Sequence, residues 1–317
     1  MFLLISVLYF LLFILILILL VAYFTLLERK IISAVQRRKG PDYTGFFGVL
    51  QPIADALKLL LKNFIIPKVS YIFLFIIIPV IVLFLSLLIW FFIPLSLEGS
   101  ISFSEISLLW ILAISSLNVY ILFLAGWSSN SRYALIGSLR SIAQFLSYEL
   151  AISILVLPII FVTGSLDINS IFFFQNYANI WNFVWMFPNA IIFYICLLAE
   201  TNRAPFDMPE AEAELVAGYN VEYSSLPFAF FFLGEYLNIF TMSVIYSILF
   251  MGGISKYFIF FIFKVLFLVF SIIWVRATLP RVRYDFLMSF FWKYSLLFSF
   301  SYFVFFVTMY SLMLFFF

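Results

Sequence analysis

Eight stretches of the chain are apolar over the length that a helix needs to cross a bilayer. Such a helix takes about 20 apolar residues, because each residue advances it by about 1.5 Å. Polar residues gather in the connections between these stretches. The pattern predicts transmembrane helices over residues 2–27, 70–94, 105–126, 141–163, 181–199, 225–251, 257–276 and 288–316.

A shorter amphipathic segment, residues 45–62, lies between the first two predicted helices. Its polar positions are Gln51, Asp55, Lys58 and Lys62. Their spacing puts them on a narrow face of a helix, which predicts a helix lying on the membrane surface with its apolar side down. Pro52 fits only if it opens or kinks this helix. Whether the polar face carries a site or is merely solvated stays open on spacing alone.

Composition places the whole chain in lipid. Hydrophobic residues make up 66% of the 317 residues and charged residues only 10%, far below the roughly one quarter of soluble domains. We therefore expect an all-α polytopic membrane protein, with residues 1–317 forming one membrane domain. The charges, 17 basic and 15 acidic, include no basic tail or patch, which argues against nucleic acid as a partner.

Basic residues are distributed unevenly between the two sides of the predicted bundle. Of the 17 Lys and Arg residues, all except Lys256 and Lys264 fall in connections after the first, third, fifth and seventh helices. The positive-inside rule predicts that these connections face the cytoplasm or matrix, with both termini opposite. The first helix ends in Glu28-Arg29-Lys30 rather than in a small-residue cleavage site, so we expect it to be retained as a span.

Several kinds of chemistry are excluded within this chain. Histidine is absent and Cys196 is the single cysteine, so no iron–sulfur cluster, haem or zinc ion can be held. Cys196 stands in an apolar run, which favours a buried hydrophobe over a reactive thiol. No glycine-rich nucleotide motif is present. Any redox cofactor must therefore belong to partners.

An acid-rich connection precedes the sixth predicted helix. Its acids are Glu200, Asp207, Glu210, Glu212, Glu214 and Glu222. Arg203 alone opposes them locally, and Asp207 with Glu210 reads as a capping box. Repulsion among these clustered negative charges should raise the pKa values of some of the acids. Acids with raised pKa values can gain and lose protons near neutral pH. A plain solvated loop is the alternative.

Three ionisable residues lie inside predicted spans: Glu149, Glu235 and Lys264. Ionisable residues within the bilayer favour a functional role. Structural pairing is the alternative, and Glu235 could pair with Lys264 across two helices. Together with the acidic connection, these residues favour a proton-conducting or charge-relaying path.

Five blocks of the chain, in order from Leu26 to Met288, resemble the quinone-channel membrane subunit (subunit 1) of respiratory complex I, NADH:quinone oxidoreductase. They are LLERKIISAVQRRKGPD, GVLQPIADALKL, WSSNSRYALIGSLRSIAQFLSYE, LLAETNRAPFDMPEAEAELVAGYNVEY and WVRATLPRVRYDFLM. The family's eight-helix topology agrees with the helix count above. One departure is Phe46, where the family often has proline, which leaves the first turn of the surface helix undetermined.

The resemblance implies a core subunit of a proton-translocating enzyme that holds no redox centre itself. In that family the subunit joins the membrane arm to the peripheral arm and encloses much of the tunnel by which quinone reaches its reduction site. Quinone is then the substrate, while NADH, FMN and iron–sulfur clusters bind to partner subunits. The implied partners are other membrane and peripheral-arm subunits, quinone and membrane lipids.

Family roles carry over where the motifs match. For the quinone channel the matching residues are Glu28, Arg29, Lys30, Gln51, Pro52, Asp55, Lys58, Arg276 and Arg281. For proton coupling they are Arg140, Tyr148, Glu149, Glu200, Arg203, Asp207, Glu210, Glu212, Glu214 and Glu235. The segment 200–224 is implied to be a mobile loop that senses quinone chemistry and launches proton movement.

The implied location is the mitochondrial inner membrane, and the 46 Phe residues fit the codon bias of an organelle gene. A bacterial plasma membrane is the alternative. Two other functions stay open. One is the membrane anchor of a related energy-converting hydrogenase, which the acidic loop alone does not distinguish. The other is a stand-alone ion transporter, a class that often has an internal repeat; we find none here.

Overall fold

The computed structural model of the chain describes residues 2–96, 99–100, 104–208, 218–253 and 258–316. The α-helices in these ranges are α1 Phe2–Val35, α2 Gln51–Leu61, α3 Ile72–Leu88, α4 Ser107–Ser128, α5 Arg132–Thr163, α6 Ile168–Ala178, α7 Asn182–Trp185, α8 Phe187–Glu200, α9 Ser225–Phe250, α10 Phe258–Thr278, α11 Tyr284–Phe290 and α12 Leu296–Phe316. Short 3₁₀ turns cover Phe46–Gly48, Ile89–Phe91 and Gly218–Asn220, and the π turn Phe291–Ser295 joins α11 to α12. Two short antiparallel strands, β1 Pro94–Ser96 and β2 Gly99–Ser100, form a hairpin after α3.

Seven helical stretches of the described residues are long and apolar enough to cross a membrane. They lie in α1, α3, α4, α5, α9, α10 and the continuous stretch from α11 to α12. The predicted all-α polytopic class is confirmed. The helix predicted over 181–199 differs from expectation, because the chain forms α7 and then a separate α8. Pro188 stands in the first turn of α8, where proline is tolerated, and the 14 residues of α8 span about 21 Å.

Other helices also depart from the predicted pattern. Helix α1 continues to Val35, eight residues beyond the predicted 27, so Glu28, Arg29 and Lys30 lie on the helix. Helix α5 begins at Arg132, nine residues before the predicted 141, so Arg140 lies on the helix rather than in a connection. Helix α6 is not predicted by the apolar pattern at all. It begins where the Asp167 side chain accepts a hydrogen bond from the backbone N–H of Asn169, the usual chemistry of a helix N-terminus.

The core of the bundle lies among α3, α4, α5, α8 and α9. Helices α4 and α5 cross closely at Gly126, where a Cβ atom would overlap the Ser138 side chain. Large side chains such as Phe75, Phe193 and Phe231 are fully buried. By contrast, α1, α10 and α12 expose many large apolar side chains, as expected of helices that face lipid or neighbouring subunits.

The predicted surface segment is a 3₁₀ turn followed by α2. The turn Phe46–Gly48 stands where the family's proline is missing, and α2 then carries Pro52 in its first turn, where no backbone hydrogen bond is lost. Ile53 and Leu57 are at least half exposed. Helix α2 thus presents an apolar face outward, as an interfacial helix does.

Candidate functional site

A buried carboxylate on α1 organises the first part of the site. Glu28 is 4% exposed. It accepts a hydrogen bond of 2.7 Å from the Tyr236 hydroxyl of α9 and another from the Arg276 guanidinium of α10. The Arg203 guanidinium lies 3.6 Å away. We call Glu28, Arg203, Tyr236 and Arg276 the Glu28 cluster.

The Glu28 cluster satisfies the main physical demand on a buried charge, which is to have partners of opposite sign. Two guanidinium groups face one carboxylate, and Arg203 also lies over the Tyr236 ring, 4.5 Å from its centroid, a favourable cation–π distance. The cluster joins α1, α9 and α10 to the segment after α8. A change of charge here therefore reaches four separate parts of the chain.

A second ion pair fastens the same segment to the connection between α10 and α11. The Arg281 guanidinium donates to Asp207 over 2.8 Å, and the backbone N–H of Val282 donates to the Pro205 carbonyl over 3.0 Å. Burial raises the pKa of the Asp207 carboxyl, and the positive charges of Arg281, Arg203 and Arg276 oppose that rise only in part. Asp207 is therefore easier to protonate than an exposed aspartate.

The C-terminal part of α1 is held against α2 by polar groups that are exposed or half-buried. Arg29 donates to Asp55 over 2.8 Å, and the Gln51 amide donates to the same carboxylate over 3.0 Å. Lys30 donates to the Phe47 carbonyl in the turn before α2. Lys58 is exposed on α2. Four of the predicted channel residues thus meet at one junction of α1 with the surface helix.

An internal cavity of about 70 Å³ lies among α3, α4, α5, α8 and α9. Its wall is mostly apolar, but it includes three acids, Glu149, Glu200 and Glu235, and the phenols of Tyr148 and Tyr219. The Tyr219 hydroxyl donates to Glu235. The cavity therefore gathers three acids that lie far apart in the sequence.

Besides the residues at the junction of α1 with α2, two further sets of predicted residues converge, and another set lies outside the described residues. Glu28, Arg203, Asp207, Arg276 and Arg281 form the ionic region, while Tyr148, Glu149, Glu200 and Glu235 line the cavity. Arg140 lies on α5 with its guanidinium 6.0 Å from the centre of the Tyr284 ring. The predictions for Glu210, Glu212 and Glu214, with the Asp207–Glu210 capping box, concern residues outside the described ranges.

The suggested pair between Glu235 and Lys264 is wrong. Lys264 donates to the carbonyls of Met251, over 2.7 Å, and Gly253, over 3.3 Å, at the C-terminal end of α9. At 1.5 Å per residue, Met251 lies about 24 Å beyond Glu235 along that helix. Lys264 therefore neutralises carbonyl charge at the far end of α9, as cations do at helix C-termini.

Sequence reasoning missed three residues that complete the site. They are Gln144, Tyr219 and Tyr236, which are buried or half-buried polar side chains in apolar surroundings. Eighteen tyrosines occur in the chain, so hydroxyl chemistry alone could not select two of them. Tyr236 stands directly after the intramembrane Glu235, and that position was the available signal.

The described residues contain no group of three acidic or cysteine side chains arranged to hold a metal ion. Cys196 is fully buried in α8, where it packs as a small hydrophobe. The arrangement brings opposite charges together in the Glu28 cluster and places three carboxyl groups around one cavity.

Comparison with known proteins finds relatives whose names all refer to the same enzyme. The family described as NADH dehydrogenase matches residues 8–307. NADH-ubiquinone oxidoreductase chain 1 of Chondrus crispus is 50% identical over 285 residues, 86% of each chain. An NADH-quinone oxidoreductase subunit of Rickettsia prowazekii (strain Madrid E) is 48% identical over 294 residues, 89% of this chain and 87% of the relative. NADH-ubiquinone oxidoreductase chain 1 of Triticum aestivum is 51% identical over 280 residues, 85% of this chain and 86% of the relative.

Proposed function

Since this chain belongs to the NADH dehydrogenase family, as a membrane subunit of an NADH:quinone oxidoreductase, we propose that it forms the quinone access channel and couples quinone reduction to proton translocation. Quinone enters from the bilayer between α1, α2 and neighbouring helices. Its head is reduced against partner subunits, and the negative charge that develops there acts on this chain.

The observation that carries the proposal is how the segment after α8 is placed. Glu200, at the end of α8, lines the cavity, while Arg203, three residues later, faces Glu28. One short segment thus places the Glu200 carboxyl group in the cavity and the Arg203 cation in the Glu28 cluster. Charge that appears near Arg203 and Arg276 changes the balance around Glu28 and moves the segment that carries Glu200.

The cavity is suited to pass protons onward. Three buried polar atoms on its lining residues have no hydrogen-bond partner among the described residues: the Tyr148 hydroxyl and the Oδ1 atoms of Asn118 and Asn238. Buried polar groups normally find such partners, and about 70 Å³ accommodates a few water molecules. Water bridging Glu200 to Glu149 and Glu235 would form a path into the membrane.

The redox groups belong elsewhere in the enzyme. Quinone is the substrate, whereas NADH, FMN and the iron–sulfur clusters bind to partner subunits. The donor set of this chain does not fit an iron–sulfur cluster, because Cys196 is its single thiol and is fully buried. Electron transfer from NADH to quinone therefore runs through groups on the partner subunits.

The location that we propose is the mitochondrial inner membrane, with a bacterial plasma membrane as the alternative. Relatives named NADH-ubiquinone oxidoreductase chain 1 come from eukaryotes such as Chondrus crispus and Triticum aestivum, and a relative named as an NADH-quinone oxidoreductase subunit comes from Rickettsia prowazekii. The activity in these names, NADH with quinone, favours this function over a hydrogenase anchor or a stand-alone ion transporter.

Photoaffinity labelling of the intact enzyme tests the channel directly. The assembly that contains this chain is purified, shown to oxidise NADH with quinone, and illuminated with a photoreactive quinone analogue. We expect label on peptides of this chain that include α1, α2 or the connection after α10, and we expect excess quinone to remove it. An active enzyme whose label never falls on this chain contradicts the proposal.

A further inference from the structure

The side chain of Gln144, on α5, joins the two ends of the segment that carries Glu200 and Arg203. Its amide nitrogen donates to the Ala199 carbonyl over 2.9 Å and to the Phe206 carbonyl over 2.8 Å. A longer contact of 3.4 Å reaches the Asn202 side-chain oxygen. An amide has two N–H hydrogens, and here both are used on the same short segment.

Each carbonyl also accepts a backbone hydrogen bond from within the segment: the Asn202 N–H donates to Ala199 over 3.4 Å, and the Met208 N–H donates to Phe206 over 3.0 Å. The Gln144 amide adds the hydrogen bonds that reach the segment from α5. Ala199 lies in the last turn of α8, where helix carbonyls lack partners within the helix, and Phe206 lies in the loop beyond it. Gln144 is fully buried, so water does not compete for its hydrogens from bulk solvent. Loss of the Gln144 amide would leave both carbonyls with their backbone donors but would remove the side-chain hydrogen bonds that tie the segment to α5, each of which makes a modest net contribution to stability.

The position of Gln144 on α5 connects this segment to the proposed proton path. Tyr148 is four residues further along α5, on the same helix face, and it lines the cavity with its neighbour Glu149. The Phe291 ring supports the arrangement from the side, since its centroid lies 6.1 Å from that of Phe206 and 6.3 Å from that of Tyr148.

We propose that Gln144 is a positioning residue that clamps segment 199–206 to α5, so that movement of the segment is transmitted to Tyr148 and Glu149. Without the hydrogen bonds of Gln144, segment 199–206 would move independently of α5, and its movement would not reach Tyr148 and Glu149. This inference rests on the proposed function, in which charge near Arg203 moves the segment.

The chain offers a matched control in Gln175 of α6. Its amide nitrogen also donates to two backbone carbonyls, those of Ile248 over 2.8 Å and Leu249 over 3.2 Å, and its side chain is also buried. These carbonyls lie at the far end of α9, away from the Glu28 cluster. Gln175 thus has the same chemistry without the proposed coupling role.

The test compares Gln144→Met with Gln175→Met in the assembled enzyme. Two rates are measured in membranes: NADH oxidation with ferricyanide, which reports the flavin-bearing part, and NADH oxidation with a short-chain quinone. For Gln144→Met we expect the quinone kcat to fall about ten-fold while the quinone KM stays within about two-fold and the ferricyanide rate is unchanged. For Gln175→Met we expect all three values to stay near those of the wild type.

A merely structural role would affect both variants alike. Equal quinone kcat values in the two variants, or a raised KM with an unchanged kcat in Gln144→Met, overturn the clamp. If Gln144→Met does not assemble, shown by loss of the ferricyanide rate, Gln144→Asn and Gln175→Asn decide by the same kcat criterion, because the shorter amide reaches one carbonyl at most. Failure of the proposed function is distinguishable, since it appears as missing photolabel on the wild-type chain.

Discussion

The Arg203 guanidinium lies 3.6 Å from the Glu28 carboxylate, and neither side chain is more than 7% exposed. Glu28 belongs to α1, and Arg203 belongs to the segment after α8. Their contact means that the proposed channel wall and the proposed coupling segment share a buried ion pair. Disturbing either partner should therefore affect both quinone access and coupling.

Replacing Glu28 with glutamine is expected to destabilise the subunit and slow quinone reduction. The substitution keeps the shape but leaves Arg203 and Arg276 without their counter-ion, and removing one partner of a buried pair typically costs about 3–5 kcal/mol. Glu105→Gln is the control, since Glu105 is exposed. Thermal inactivation of the quinone-linked rate measures the effect, and equal inactivation of the two variants would contradict it.

A pH effect is expected at Asp207. Because burial raises its pKa above 3.8, the usual aspartate value, the folded chain holds this proton more tightly than the unfolded chain. The contribution to stability is then complete below the usual value and is lost as pH rises through the higher folded-state pKa. Asp207→Asn, which stays neutral, should gain thermal stability over the wild type as pH rises from the usual aspartate value of 3.8 through the higher folded-state pKa.

The control for this pH effect is Asp285→Asn. Asp285 pairs with Arg283 over 3.0 Å, but both side chains are at least 70% exposed, so solvent screens the interaction. The difference in inactivation temperature from the wild type should therefore change more with pH for the buried Asp207→Asn than for the exposed Asp285→Asn. An equal change in the two variants would show that burial at Asp207 has no such consequence.

The membrane bundle was predictable from sequence because lipid imposes long apolar runs that need no knowledge of tertiary contacts. Elements with mixed patterns were not. Helix α6 is not apparent from the sequence because its start depends on one capping side chain, Asp167. The break between α7 and α8 lies inside an apolar run, and only Pro188 marks it. The nine added residues of α5 contain Arg132 and Arg140, two charges that are more typical of a connection than of a span.

The candidate site was predictable as a set of residues but not as a set of contacts. Acids within apolar runs stand out singly, as Glu149 and Glu235 do, because a charge in lipid has a large desolvation cost. Which cation meets which anion depends on how distant helices pack, so the partners of Glu28 could not be derived. The same holds for Gln144, whose importance comes from two backbone carbonyls that no side-chain pattern reveals.

Breaking the exposed pair between Arg29 and Asp55 should alter quinone access with little loss of stability. Both side chains are more than one third exposed, and such pairs contribute about 0.2–1 kcal/mol. Asp55→Asn is expected to raise the quinone KM through a looser junction of α1 with α2, while the ferricyanide rate stays unchanged. The double variant that exchanges the two charges, Arg29→Asp with Asp55→Arg, should bring the quinone KM part of the way back to the wild-type value. A double variant with a higher KM than either single variant would argue against the pair.

Removing the Lys264 ammonium should separate a structural role from a relay role for this intramembrane charge. Lys264 donates to two carbonyls at the end of α9 and lies 4.9 Å from the centre of the Trp181 ring. Because these contacts are far from Glu235, Lys264→Met should lower the inactivation temperature while the quinone kcat, measured at a temperature where both enzymes are stable, matches that of the wild type. Ile262→Met, an exposed position on the same helix, is the control for the new side chain. A quinone kcat that falls without loss of thermal stability would instead place Lys264 in the proton path.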